Sequence, residues 1–359
     1  MGNFLLQDVM VSAVNNAASD IHISVGEAPM LRIDGALVKM PNIDPLSDDD
    51  MRVALQGLLN DAQLTRFKNE REYDFSFGVD IGALAEQRFR ANLSYEKGHP
   101  ALALRAITTN IRTIKQLGVP DELKAVAQKN SGLFLVTGPT GSGKSTTLAA
   151  MVQEINVSRS VHIVTIEDPI EYLYRSELSL IHQRELGSDT KSFAEALRRA
   201  MRQDPDVIMI GELRDLETIA AAVTAAETGH LVLATLHTRD AAQSIDRVID
   251  VFPPYQQQQI RIQLSSMLLG VLSQQLVPLA ASSGRTVATE YLVATNAVRN
   301  YIREGKTSQI KNVIQTGSTL GMHTMDQNLA QLCAAGTINR REAMAHAYDV
   351  ESFNRYMMM

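Results

Sequence analysis

Apolar and polar positions follow two different rhythms along the 359 residues, and the change between them falls near residue 110. In residues 4–18, Phe4, Leu5, Val9, Met10 and Val14 lie on or near one helical face, which predicts an amphipathic helix. Ile21, Ile23 and Val25 then alternate, and PMLRIDGALVKM sets an Asp34-Gly35 turn between two apolar runs, a hairpin pattern. Ser47, with Asp50 three residues on, predicts a capped helix start that continues through Met51, Leu55, Leu58 and Leu59. Tyr73, Phe75, Phe77 and Val79, then Phe89, Ala91 and Leu93, then Leu102 and Leu104, read as further strands. Residues 1–107 are therefore expected to form a small α+β domain with a mainly antiparallel sheet.

TTNIRTIKQLGVP, residues 108–120, is polar and irregular, and is read as a linker to a second domain spanning 121–359. Beyond it, the apolar runs LFLVTG, VHIVTIE, DVIMIGE and LVLATLHT alternate with helical segments, which predicts parallel strands with crossover helices. Ser192 and Glu195 form an S-x-x-E box opening SFAEALRRAM. A helix from about Leu216 is expected to stop at Gly229. In the window 264–281, Leu264, Met267, Leu268, Val271 and Leu272 repeat at i, i+3, i+4, i+7 and i+8, the mark of a core helix. Gln274, Gln275 and Pro278 interrupt that window, so no segment is expected to span a bilayer.

With 45% hydrophobic and 21% charged residues, the composition is that of an ordinary globular protein. A net charge of -6 argues against affinity built on neutralising a nucleic-acid backbone. The lone Cys333 can form neither an internal disulfide nor a four-cysteine zinc site, which suits a reduced, cytoplasmic compartment. MGNFLLQDVM lacks a basic stretch before a long apolar run, so a secretory signal is not expected.

The chemistry concentrates in Gly138-Pro139-Thr140-Gly141-Ser142-Gly143-Lys144-Ser145, followed by Thr146, a full G-x-x-x-x-G-K-[ST] loop. Small residues let backbone N–H groups close around phosphate oxygens, and the next helix points its positive end at the same anion. In that reading Lys144 neutralises the β- and γ-phosphates of ATP and the Ser145 hydroxyl ligates Mg2+. An apolar strand, Leu133 to Val136, precedes the loop and a good helical sequence follows it.

DPDVIMIGE ends a second strand in Glu212, the arrangement expected of the strand beside a phosphate loop, where an acid reaches the metal or the attacking water. Gly211 stands where an Asp is common, so magnesium would depend on Ser145, phosphates and water, with Glu212 positioning the nucleophile or sharing the metal. TIEDPIEY places Glu167 and Asp168 at another strand's carboxyl end, the edge where open parallel sheets bind ligands. The residues leave open whether Glu167 or Glu212 serves the water. His230 and His237 bracket the strand in ETGHLVLATLHT, and no Cys or third nearby His makes them a zinc site.

GPTGSGKSTTLAAM, TIEDPIEY, DPDVIMIGELRDLETI and TAAETGHLVLATLHT, in this order, resemble the retraction ATPases of type IV pili, the PilT type within the wider secretion-ATPase family of hexameric motors. SDIHISVGEAPMLRIDG and RFRAN resemble that family's first domain. AVRNYIREGKTSQI, 297–310, resembles its C-terminal retraction motif, with departures at Val298 and Tyr301. The resemblance implies a RecA-like P-loop ATPase domain preceded by a smaller PAS-like α+β domain. It places the Walker A box on Gly138 to Thr146, the Asp box on Glu167 to Glu171, the Walker B box on Asp206 to Glu212 and the His box on Glu227 to His237.

It also implies water activation by Glu167 or Glu212, nucleotide sensing by His230 and His237, and an approach of Arg88, Arg90 and Arg105 to bound nucleotide. As partners it implies five further copies in a homohexamer, the pilus machinery and an inner-membrane platform protein, on the cytoplasmic face of the inner membrane. Arg299, Arg303 and Lys306 recur at helical spacing, and the resemblance makes that basic face a surface that transmits movement. An accessory PilU-type ATPase and a type II or type IV secretion-system ATPase are the nearest alternatives. A nucleic-acid translocase is disfavoured by the acidic balance.

Overall fold

A computed structural model describes residues 5–33, 35–79, 87–107, 110–281 and 283–358. Their strands are β1 (Asp20–Ser24), β2 (Met30–Ile33), β3 (Ala36–Lys39), β4 (Tyr73–Val79), β5 (Gln87–Glu96), β6 (His99–Ile107), β7 (Gly132–Thr137), β8 (His162–Glu167), β9 (Leu180–Glu185), β10 (Val207–Ile210), β11 (Leu231–Leu236), β12 (Leu268–Pro278) and β13 (Arg285–Val293). The chain divides into two compact units, Met1–Asn110 with Glu171–Leu173, and Ile111–Ile170 with Tyr174–Met359.

In the first unit, six strands pair antiparallel in the order β3-β2-β1-β6-β5-β4. β5 shows why one face closes: Phe89, Ala91 and Leu93 are buried, whereas the intervening Arg90 and Asn92 are exposed. Helices Leu6–Asn15, Asp48–Leu58 and Asp61–Glu70 complete that core with Val9, Met10, Met51, Leu55 and Phe67. The Ser47–Asp50 box forms in both directions and starts its helix. β2 and β3 form the expected hairpin, although Asp34 of its turn, like Phe4 of the first helix, lies outside the described residues.

The second unit carries a seven-stranded sheet in the order β13-β12-β7-β11-β10-β8-β9 among the described residues. β12 through β9 run parallel and β13 pairs antiparallel with β12. β7, β10 and β11 are buried at every position, as strands covered by helices on both faces must be. This is the RecA-like α/β arrangement that the sequence implies.

Three expectations are corrected. The Glu212-bearing strand does not lie beside the phosphate-loop strand, because β11 is inserted between β10 and β7. The core helix read across 264–281 ends at Met267, and residues 268–278 are strand β12. Its apolar residues match a helical period, yet a strand buried on both faces needs no alternation, so that spacing cannot tell the two apart. The expected linker is not loose along its length: Ile114–Leu117 forms a short helix capped by Thr113, and Ile114 and Val119 are buried in the second unit's core. Thr108 and Thr109 lie outside the described residues.

Candidate functional site

β7 delivers the chain to the carboxyl edge of the sheet, and residues 138–143 turn there before the helix Lys144–Ser158. Gly138, Gly141 and Gly143 all have positive φ, at 143°, 77° and 89°. At Gly138 glycine is obligatory for a second reason, since a Cβ would collide with the Gln274 carbonyl oxygen and the Ser142 side chain. The helix starts at Gly143 with no side-chain cap and no acid in its first turn. Such a helix start suits an anion. Lys144 is buried, with Nζ donating to Gly138 O at 2.8 Å and Pro139 O at 3.0 Å, so its charge is held inside the loop. A glycine cradle, an uncapped helix start and an enclosed ammonium fit phosphate.

The acids stand at the same sheet edge. Glu212 follows β10; its Oε2 is 2.8 Å from Arg214 Nη2 and its Oε1 is 3.1 Å from His237 Nε2. Burial pushes the Glu212 carboxyl up, but the hydrogen bond from Arg214 and the neighbouring His237 and Arg214 charges outweigh it and hold it below its usual range. Thr235 Oγ1 donates to Gly211 O at 2.5 Å and Leu213 N to Thr235 O at 3.0 Å, which ties the β10 exit to β11. Glu167, at the end of β8, is buried and accepts from Thr165 Oγ1 at 2.6 Å and Gln183 Nε2 at 3.2 Å. Asp168 lies farther out, 3.9 Å from Arg214.

For magnesium, the loop offers the Ser145 hydroxyl, while Glu212 is already engaged by Arg214 and His237. Among the described residues no group of three or more His, Cys, Asp or Glu side chains could hold a metal ion unaided. The Ser145 hydroxyl fits magnesium that is shared with bound phosphates.

The two histidines part company. His237 leaves the carboxyl end of β11 beside Glu212, whereas His230 precedes the strand, with its Nδ1 2.9 Å from Ala225 O. The strand between them spans roughly 20 Å, so His230 stands at the opposite sheet edge from its own phosphate loop. Arg90 and Arg105 are exposed and pair in register on the face of the first unit's sheet away from its core, and Arg88, two residues before Arg90, is partly buried. Arg105 Nε is 2.8 Å from Asp20 Oδ1, and Arg88 Nη2 donates to Ser76 Oγ at 2.8 Å.

Arg299 is not on a solvated basic face. It lies in the helix Asn296–Arg303 and donates to the carbonyls of Ser265 and Ser266 at 2.5 Å each and of Leu268 at 3.0 Å. It thereby satisfies the end of the helix Pro254–Met267 where that helix passes directly into β12. Arg303 Nη2 donates to Asn300 Oδ1 at 3.5 Å, and Lys306 pairs with Glu304 at 2.8 Å.

The family model described as "Type II/IV secretion system protein" matches residues 3–351. The chain is 45% identical over 348 residues to the "Type IV pilus retractation ATPase PilT" of Pseudomonas aeruginosa, covering 97% of this chain and 99% of that one. It is 40% identical over 334 residues to that organism's "Type IV pilus ATPase PilU", covering 93% and 86%. The solved structure described as "Crystal Structure of the Pilus Retraction Motor PilT and Bound ADP" superimposes with a TM-score of 0.91 at 43% identity, covering 98% of this chain and 99% of that one.

Proposed function

The chain belongs to the type II/IV secretion system protein family, and from that premise we propose that it is an ATP-hydrolysing motor that powers type IV pilus retraction. The observation that carries this reading is 45% identity to a retraction ATPase along nearly the full length of both chains, joined to a phosphate loop whose backbone, lysine and helix start all suit a nucleotide. The accessory PilU-type reading is less supported, at 40% identity.

The chain's own groups divide the work. Backbone N–H groups of residues 141–146 and the Lys144 ammonium bind the phosphates. Ser145 would hold magnesium, which would supply charge that neutralises the phosphates. Glu212 is held ionised between Arg214 and His237, which suits orienting a water more than storing its proton. Glu167 is the alternative acid, enclosed by Thr165 and Gln183. His237, hydrogen-bonded to Glu212, would feel the γ-phosphate through it. Arg88, Arg90 and Arg105 are the first unit's candidates for contact with nucleotide. Six such subunits in a ring, working on a platform protein at the cytoplasmic face of the inner membrane, complete the reading. Among the described residues no helix is long and apolar enough to cross a membrane. ATP turnover by the purified protein, together with piliated but non-twitching cells after gene deletion, tests it. Retained twitching in the deletion strain would refute the retraction assignment.

A further inference from the structure

β12 runs parallel to β7, with Ser273 level with Thr137, the last residue before the phosphate loop. The next residue, Gln274, is 1% exposed, so both ends of its amide need partners. It finds them on the loop and on the helix that follows. Nε2 donates to Ser142 O at 2.7 Å, and Oε1 accepts from Thr147 Oγ1 at 2.9 Å. The amide orientation is not arbitrary, because the Ser142 carbonyl can only accept. The Thr147 hydroxyl is drawn away from the usual bond to its own helix backbone.

We propose that Gln274 is a positioning residue for nucleotide binding, which sets the conformation of the phosphate loop from beneath. The inference rests on the nucleotide-site reading above and adds to it how the loop is kept in shape before nucleotide binds. In a trans peptide the C=O and the following N–H point in opposite directions. Pinning Ser142 O towards β12 therefore turns the Gly143 N–H away from it, the sense in which a loop presents N–H groups to an anion. Gly143 holds φ +89°, a conformation that costs glycine little and that other backbone orientations of this loop would rival. The amide of Gln274 selects among them before nucleotide arrives. The Gln274 backbone closes on Gly138 from the other side, so the loop's first and fifth residues are referenced to one residue on β12.

The experiment compares wild type with Gln274→Leu, Thr147→Val and Thr147→Ser. The readouts are the dissociation constant for fluorescent ADP, KM and kcat for ATP, thermal midpoint, and amide hydrogen exchange across 138–145 without nucleotide. Gln274→Leu keeps the volume and removes both hydrogen bonds. It is expected to weaken ADP binding about tenfold, which is about 1.4 kcal/mol, to raise KM by a similar factor with a smaller fall in kcat, and to speed exchange in the empty loop. Thr147→Val is expected to weaken binding about threefold, and Thr147→Ser to match wild type. ADP affinity and loop exchange within twofold of wild type in Gln274→Leu would overturn the proposal, whatever its thermal midpoint. If that variant does not fold, wild-type affinity in Thr147→Val overturns it instead. Absence of ADP binding in wild type, or its survival in Lys144→Ala, would sink the nucleotide-site reading itself, a separate result from either.

Discussion

His237 Nε2 lies 3.1 Å from Glu212 Oε1, and the two residues leave the carboxyl ends of neighbouring strands, β11 and β10. β11 also pairs with β7, the strand that enters the phosphate loop. A movement of the loop can therefore reach Glu212 by way of β11 and His237, although the strand bearing the acid never touches the strand bearing the loop.

Glu212→Gln preserves the side chain's size and removes its charge. ATP binding is expected to survive while kcat falls about 10²–10⁴-fold, the usual weight of a group that positions or activates the nucleophile. Single-turnover rates at saturating ATP check this. Wild-type rates in both Glu212→Gln and Glu167→Gln would remove both acids from the mechanism.

The low pKa of Glu212 has a signed consequence. A carboxyl whose folded-state pKa lies below its ordinary 4.5 adds stability above that value and loses it as pH falls through the folded pKa. Between pH 5 and 8 this group should contribute no limb to the pH–rate profile. A limb in that window that disappears in Glu212→Gln would contradict the ion-paired state.

Glu290 carries the opposite sign. Burial pushes its carboxyl up to about 7, although it accepts a hydrogen bond from Ala241 N at 2.9 Å. The unfolded chain ionises this group near its ordinary 4.5 and the folded chain only near 7, so stability should fall as pH rises between those values and level off above. At 1.36 kcal/mol per unit the effect is of order 3 kcal/mol. Thermal midpoints at pH 5 and 8 should differ less in Glu290→Gln than in wild type, and an unchanged difference would discount the shift.

Lys144→Ala removes the ammonium that the loop encloses. Nucleotide binding should become undetectable at concentrations that saturate wild type, with circular dichroism unchanged. Turnover at the wild-type rate would end the phosphate-loop assignment.

Arg299→Ala and Arg303→Ala should separate cleanly. Arg299 donates to three backbone carbonyls, and orphaning them is expected to cost about 1–3 kcal/mol, or several degrees in the thermal midpoint. Arg303→Ala should leave the midpoint within about a degree, since exposed side chains without such bonds contribute little. If Arg303→Ala alone stops twitching with ATP turnover intact, the exposed part of the motif transmits movement. Normal twitching in Arg303→Ala would move that role off this side chain.

The parts of this molecule written in short-range pattern were legible in the sequence. The phosphate loop is contiguous and its glycines have no cheaper explanation, and β7, β8, β10 and β11 are apolar runs bounded by polar turns. Other parts depend on which segments meet, and spacing does not carry that. β11's insertion between β7 and β10 is a pairing choice among equally apolar strands. Gln274 read as an interruption of an apolar window, and only its buried partners show it to be aimed at the loop. Arg299 sits at the spacing of a solvated face, yet its guanidinium folds back onto a helix end that the sequence had extended too far. His230 and His237 look equivalent in one motif, and the strand between them sends them to opposite edges.

The passage from helix to strand at Met267 and Leu268 has no loop in it. Arg299 holds the junction, Gln274 sits six residues beyond Leu268, and β7 and β13 fix the register on both sides. That stretch behaves as a ruler. Losing or gaining one residue between Gly270 and Gln274, where the ladder to β7 is regular, would turn Gln274 to the other face of the sheet and bring a neighbour under the loop. Repacking of side chains cannot absorb a change of length there.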